Sequence, residues 1–473
     1  MSKGPATADF QELKARFEAQ GQGHVFAFWE QLDPSGQERL GRQLASLDLE
    51  GLIRGFQATR SHASGTPSLE PPEVVALPEH GGDAKHWAEA EAAGESLLRD
   101  GRAAVMVVAG GQASRLGYPG PKGLYPLGPA SGRTLFALQA QKLLHLRART
   151  GAAIPWYVMT SPATDAATRD GFAAEGFFGV PERDVFFLCQ GMVPSFDFDG
   201  KLMLEKPDRV FENPDGHGGS LTALLDSGAL DDMERRGIST IFYYQVDNPM
   251  LPLGDPVFLG HHARARAEMS CKMLRKREPG EKMGVLARVD GAMGVVEYTE
   301  INDEQRNARD AQGELLYGAG NVAVHALEVS FVRRIASDAE RWLPFHASAK
   351  KIPQADAKGA TQTPAAENGF KLERFVFDAL PAAKDVCVVE APRSEYSPVK
   401  NASGGESPET SRRDLSQRYR GWLEAAGLPA PAGNGWVEID ESKIGSPEDL
   451  RALGLERIED APDLIQLRVG DDA

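Results

Sequence analysis

The stretch Gly110-Gly111-Gln112-Ala113-Ser114-Arg115-Leu116-Gly117, followed by Pro121-Lys122-Gly123, has the composition of an anion cradle. Adjacent glycines present backbone N–H groups with no Cβ in front of them. Arg115 and Lys122 add fixed positive charge within a loop's reach. The glycine spacing matches neither the dinucleotide fingerprint nor a Walker loop. The same residues also fit a tight turn carrying a basic pair. A carboxylate, Asp247 in Tyr244-Gln245-Val246-Asp247-Asn248, stands just past an apolar run. It could serve Mg2+, which takes one or two carboxylates together with waters and substrate phosphates, or simply cap the turn after a strand.

These residues need elements that bring them to one place. Residues 103–109 (AAVMVVA) form a continuous apolar run, the pattern of a strand buried on both faces. The glycine pair therefore falls at a strand's C-terminal end, where open α/β sheets bind ligands. Residues 134–150 read as a helix with Leu135, Leu138, Leu143 and Leu146 on one side and Gly151 as its stop. Residues 154–159, 184–188 and 240–246 read as further strands and 164–172 as a short helix. This alternation predicts an α/β fold with a mostly parallel sheet covered by helices. Asp199-Gly200 and Asp290-Gly291 predict hairpins. Residues 9–57 read as helices broken at Asp33-Pro34-Ser35-Gly36, 58–82 as a linker or wrapped loop, and 87–98 as another helix. Residues 348–369 and 401–412 read as loops, and a small β-containing segment follows from Trp436. The expected division is a helical appendage with linker (1–99), a catalytic domain (100–395) and a small C-terminal domain (396–473).

The bulk composition removes several classes. A net charge of −16 over 473 residues argues against a nucleic-acid surface, which needs a dense basic footprint. No apolar run reaches membrane-spanning length. The charged, amphipathic opening residues are unlike a secretory signal. Cys189, Cys271 and Cys387 are odd in number, lack metal-ligand spacing and sit in apolar stretches, so they are expected to be buried free thiols in a reducing, cytoplasmic setting.

GGQASRLG…PKG resembles the signature loop of nucleotide-sugar pyrophosphorylases, specifically the eukaryotic-type UDP-sugar branch. Within that branch the chain resembles the UDP-N-acetylglucosamine (N-acetylhexosamine) pyrophosphorylases. GHVFAFWEQL, MTSPAT, FFLCQGMVP, FDFDGKLMLE, PDGHGG, YYQVDNPM, RVDGAMGVVEYTEI, GAGNVAVH, KKIP, FKLERFVFDAL and SPVKNA follow in family order from about residue 10 to residue 401. The resemblance implies a Rossmann-like nucleotidyltransferase core with appendages at each end. It implies a uridylyltransferase that joins UTP to a sugar 1-phosphate, most simply N-acetylglucosamine 1-phosphate, and releases pyrophosphate and a UDP-sugar. The cofactor implied is Mg2+, or Mn2+ in its place, and no obligate protein partner is implied. The nucleophile of such a reaction is already an anion, so no general base is needed. Catalysis reduces to holding two polyanions and neutralising charge as pyrophosphate leaves.

By the resemblance, Asp247 is the metal-binding aspartate and also faces UTP. Lys122 contacts the UTP phosphates, Arg115 grips the leaving pyrophosphate, and Lys400 binds the phosphate of the sugar. Gly110, Gly111, Gln190 and Gly216 attend the nucleotide, and Lys371 is a further ligand-contacting lysine. His217, Glu297 and Asn321 match sugar contacts, and Phe375 and Phe377 wall the acetamido group. Taken singly, the lysines also read as solvated surface charge, Gln190 as an edge polar residue, and the phenylalanines as helix core.

Two positions depart from the family pattern. Ala113 stands where the loop usually has Gly, which would cost about 1 kcal/mol if that position needs φ > 0. His217 in Asp-Gly-His-Gly-Gly replaces the Asn of N-acetylglucosamine enzymes and resembles UDP-glucose and broad-specificity UDP-sugar relatives. Those relatives supply one alternative reading. A non-catalytic UDP-sugar binding protein supplies a second, which retention of Arg115, Lys122, Asp247 and Lys400 together opposes.

Overall fold

A computed structural model describes residues 7–60, 68–431, 433 and 435–468. Part of the expected linker, 61–67, lies outside these. The chain forms two compact units interleaved in sequence. One comprises 1–66, 190–222 and 337–379; the other comprises 67–189, 223–336 and 380–473. No helix among the described residues is long and apolar enough to cross a membrane.

The larger unit is built on an eleven-stranded sheet. Its main path uses β1 (Val74–Val75), β2 (Ala103–Val108), β3 (Trp156–Thr160), β4 (Val185–Cys189), β5 (Thr240–Gln245), β6 (Met269–Arg275), β7 (Ala319–Glu328) and β8 (Val386–Glu390). Their order is β1-β8-β6-β7-β5-β2-β3-β4. Every neighbouring pair is parallel except the two made by β7, which runs antiparallel to both β5 and β6. The C-terminal ends of β2, β5, β6 and β8 and the N-terminal end of β7 therefore meet at one edge of the sheet. The all-apolar β2 is buried over nearly its whole length, as its pattern predicts. The Leu135–Thr150 helix is capped by Thr134, whose hydroxyl accepts from Ala137 N–H, and ends at Gly151 with φ +71°. Asp290-Gly291 turns a hairpin between Val285–Val289 and Ala292–Val296. The C-terminal strands Trp436–Ile439 and Ile465–Arg468 pair with each other, and Val437, Ile439 and Ile465 join the same core as β2.

The smaller unit packs the Thr7–Ala19, Pro34–Ser46 and Leu49–Arg60 helices around Phe17, Leu40, Leu44 and Phe56. Phe196 and Leu372, from the three-stranded sheet His346–Lys350, Gly369–Glu373 and Phe196–Asp197, complete that core.

Several expectations need correction. The expected wrapped loop at 58–82 carries β1 and the short strand Leu69–Glu70, both paired into the large sheet. The expected loop at 348–369 includes paired strands Gln354–Ala355 and Thr361–Gln362. These pieces are too short to show a two-residue period. The expected loop at 401–412 already holds the first turn of the Pro408–Ala425 helix, capped by Ser407 with Pro408 at its first position. Cys189 is exposed, being the last residue of the edge strand β4, whereas Cys271 and Cys387 are buried.

Candidate functional site

The loop after β2 is held from beneath. Ser161 Oγ donates to Gly110 O at 2.8 Å, and Lys122 N–H donates to Gly111 O at 3.0 Å. A Cβ added at Gly111 would meet open space, so that face of the glycine is clear for a ligand. Arg115 sits exposed in the Ser114–Leu116 turn. Ala113 has φ −92° and ψ 26°, outside the left-handed region, and is buried. The expected conformational penalty at Ala113 is therefore absent.

Beside this loop, Asp247 lies two residues past the end of β5 and Lys122 Nζ stands 3.2 Å from its Oδ2. Both side chains are mostly buried. Asp247 also lines a cleft of about 140 Å³ with Gln245, Asn321, Tyr396 and Lys400. Strand β7 opens this cleft. Its pairing with β5 stops at Tyr243↔His325, and its register with β6 shifts between Cys271↔His325 and Met273↔Asn321. Ala323, inside the bulge, is forced to φ +54°. Its N–H donates to Asn321 Oδ1 at 3.1 Å. A non-glycine residue in that conformation costs on the order of 1–3 kcal/mol, and such strain collects where a site needs a particular shape.

Lys400 reaches the cleft ten residues after β8. Its Nζ donates to Tyr396 Oη at 2.9 Å and lies 3.2 Å from Glu406 Oε1. Burial opposes its charge, but Tyr396, Asp247 and Glu406 outweigh burial and hold its pKa above the usual lysine range. Burial likewise raises the Tyr396 phenol, against the pull of Lys400. Glu406 itself has φ +54°, and its carbonyl accepts from Lys400 and Asn401 N–H, closing the 400–406 loop. Glu297 does not line the cleft. It stands beside Gly284, where an added Cβ would lie 3.3 Å from its Oε1, and Gly284 O accepts from Asn321 N–H.

The remaining candidates belong to the smaller unit. Gln190 is buried directly after β4 in the chain. Gly216 has φ +87°, and a Cβ there would lie 2.5 Å from Arg374 O, so both conformation and space demand glycine. His217 Nδ1 accepts from Val376 N–H at 3.1 Å, which fixes the neutral tautomer protonated on Nε2. Its ring stacks on Phe375 at 5.2 Å between centroids and tilts against Phe377 at 5.6 Å. Burial, with help from His346, pushes its pKa down to about 4. Phe375 immediately precedes the short Val376–Ala382 helix and Phe377 lies in its first turn, rather than the two forming one face of a long helix. Lys371 is engaged with Glu373 at 3.3 Å.

The structure thus gathers Asp247, Asn321 and Lys400 around one cleft with Lys122 paired to Asp247, and separately gathers His217, Phe375 and Phe377. Sequence reasoning missed Ser161, Tyr396 and Glu406. Ser161 does carry a signal, since it lies within MTSPAT, one of the segments that follow in family order. Tyr396 and Glu406 left no signal, because the segment carrying them follows no regular period.

Among the described residues no three His, Cys, Asp or Glu side chains cluster as a metal site. A lone, mostly buried carboxylate beside a lysine suits a hard divalent cation that takes its other ligands from water and phosphate, as Mg2+ does. It does not suit zinc, which needs three or four protein ligands.

A family model described as UTP–glucose-1-phosphate uridylyltransferase matches residues 56–405, a span containing every candidate residue from Gly110 to Lys400. The chain is 37% identical over 453 residues to the UDP-N-acetylhexosamine pyrophosphorylase-like protein 1 of Homo sapiens, covering 91% of this chain and 89% of that one. It is 35% identical over 440 residues to the UDP-N-acetylglucosamine pyrophosphorylase of Saccharomyces cerevisiae, covering 88% and 91%. The crystal structure of the UDP-N-acetylglucosamine pyrophosphorylase of Trypanosoma brucei superposes with a TM-score of 0.79 at 24% identity over 95% of each chain, a likeness of fold. The chain belongs to the UTP–glucose-1-phosphate uridylyltransferase family.

Proposed function

We propose that this protein is a cytoplasmic, Mg2+-dependent uridylyltransferase that forms UDP-N-acetylglucosamine and pyrophosphate from UTP and N-acetylglucosamine 1-phosphate. The observation that carries the reading is the cluster of Lys122, Asp247 and Lys400 at one edge of the sheet. Two lysines and one carboxylate fit a reaction in which charge must be neutralised and no proton abstracted.

In this reading the phosphate of the sugar attacks the α-phosphorus of UTP. The bond between the α-phosphorus and the oxygen bridging to the β-phosphorus breaks, and pyrophosphate departs. Lys400, kept charged by its neighbours, takes the sugar's phosphate in place of Glu406. Lys122 and the amides after β2 hold the UTP phosphates, and Arg115 follows the leaving pyrophosphate. Gln190 and Gly216 attend the uracil. Asn321, Glu297, Phe375 and Phe377 serve the sugar, and Lys371 gives a further ligand contact. Asp247 would hold Mg2+, which supplies charge neutralisation at the phosphates. The free thiols Cys189, Cys271 and Cys387 support a reducing compartment.

A second sugar, glucose, is favoured by one observation: His217 occupies the loop position that reads Asn in the N-acetylglucosamine pattern. A pyrophosphate-release assay with UTP and both sugar 1-phosphates tests the proposal. N-acetylglucosamine 1-phosphate should be used, with glucose 1-phosphate detectable and poorer. Preference for glucose 1-phosphate would promote the second reading, and no release with any sugar 1-phosphate would sink both.

A further inference from the structure

The Pro408–Ala425 helix lies beyond the span matched by the family model, which ends at residue 405, yet it reaches the back of the cleft. The loop carrying Asp247 has its carbonyls fastened from behind by long side chains. Gln139 Nε2 donates to Val246 O at 2.9 Å, and Lys142 Nζ donates to Pro249 O and, at 3.0 Å, to Leu251 O. Met250 O, between them, accepts from Arg418 Nη2 at 2.7 Å. The same nitrogen donates to Ser394 O at 2.6 Å, at the start of the segment that leads to Tyr396 and Lys400. The two segments touch directly, through Val399 N–H to Asp247 O at 2.9 Å and through Asn248, whose side chain donates to Glu395 O and accepts from Ser397 N–H. Of the three side chains that fasten the loop from behind, Arg418 alone reaches both.

The helix grips that second segment elsewhere too. Ser411 Oγ donates to Ser397 O, and Ser397 Oγ donates to Asp414 Oδ2, each at 2.7 Å. No carboxylate pairs with Arg418 within salt-bridge distance among the described residues, so its hydrogen bonds go to main-chain carbonyls on the two segments. A charged donor spent on two carbonyls fixes geometry, because it gains only if both stay in place.

We propose that Arg418 is a positioning residue: it holds the Asp247 loop and the Lys400 segment in register from behind, making the C-terminal helix part of the catalytic apparatus. The proposal rests on the uridylyltransferase reading of Asp247 and Lys400. Arg418→Met keeps the apolar stem and removes both bonds. In steady-state kinetics of the full-length protein, KM for N-acetylglucosamine 1-phosphate should rise about 10-fold and kcat should fall. KM for UTP should rise less, by about threefold at most, since Asp247 also faces UTP in this reading but the loop after β2 is fastened independently by Ser161. Arg418→Lys should recover part of the loss, because one nitrogen makes both bonds.

A purely structural role would instead shift both Michaelis constants by the same factor, or neither, and either result overturns the proposal. If Arg418→Met does not fold, Arg418→Gln carries the same readouts. If the wild type releases no pyrophosphate, the functional reading fails on its own, and amide hydrogen exchange still tests the brace. Exchange should then rise at 246–251 and 394–400 in the variant but not in Trp436–Ile439. Unchanged exchange in the first two segments overturns the proposal.

Discussion

Two groups of candidate residues handle charge in opposite ways. In the larger unit, Lys400 is kept protonated by a phenol and two carboxylates, and Lys122 pairs with Asp247. In the smaller unit, His217 is kept neutral by burial against Phe375 and Phe377 and by nearby His346, with its Nδ1 committed to a backbone N–H. Under the proposed function the contrast matches what each group would meet. Phosphates demand standing positive charge, and a lysine already paired with an anion can exchange that partner for another at little desolvation cost. A sugar ring and its acetamido group offer neutral polar atoms and apolar faces, where a protonated imidazole would be a buried, uncompensated charge. The larger unit spends ion pairs and backbone strain at Ala323 and Glu406; the smaller spends ring packing.

The sharpest way to break this contrast is at Asp247. Asp247→Ala should lower kcat by at least about 100-fold, the scale of removing a group that stabilises transition-state charge. Chelation of the wild type with EDTA should stop turnover, and added Mg2+ should restore it. Full activity of the variant in ordinary Mg2+ would remove Asp247 from the mechanism.

Next in size are the lysines. Lys400→Ala should cut kcat/KM for the sugar 1-phosphate about 10- to 150-fold, and Lys122→Ala should do the same for UTP, each losing a charge-assisted contact of roughly 1.5–3 kcal/mol. The two losses should fall on different substrates. If Lys400→Ala left use of the sugar phosphate untouched, that lysine would have no part in the cluster.

On the neutral side the effect should be smaller and should show as discrimination. His217→Asn keeps an acceptor for Val376 N–H while removing a bulky ring. The ratio of kcat/KM for N-acetylglucosamine 1-phosphate over glucose 1-phosphate should rise about 10-fold, near 1.4 kcal/mol. A ratio that stayed level or fell would show that residue 217 does not set the sugar preference.

The smallest expected effect is on stability against pH. Between the ordinary histidine value of 6.5 and about 4, the unfolded chain binds a proton at residue 217 that the folded chain refuses. Stability therefore falls as pH drops through that window, and is unaffected by this group above it. Thermal unfolding of His217→Asn at pH 7 and pH 4.5 should show a smaller drop than the wild type. An equal drop would mean that His217 is not held neutral by its surroundings.

Much of this was readable in residue order. The buried strand 103–108, the capped helix after Thr134, the Asp290-Gly291 hairpin and the glycine pair at a strand end each rest on local rules. Those rules concern which residues tolerate a conformation and which repeat at a period of two or 3.6. The resemblance placed Lys122, Asp247 and Lys400 in one site although 278 positions separate the first from the last in the numbering. Local rules could not supply the rest. The reversal of β7, the bulge that frees Ala323 from the ladder beside Asn321, the pairing of Lys400 with Tyr396 and Glu406, and the reach of Arg418 to two carbonyls are all long-range. So is the grouping of 1–66 with 190–222 and 337–379 in one unit. Such contacts depend on which surfaces meet once the sheet is assembled, and a side chain's partner across that distance leaves no periodic mark on the chain. The sequence by itself determined the elements and the kinds of chemistry available; the tertiary structure alone decided which charges stand paired, which ring stays neutral, and what holds them there.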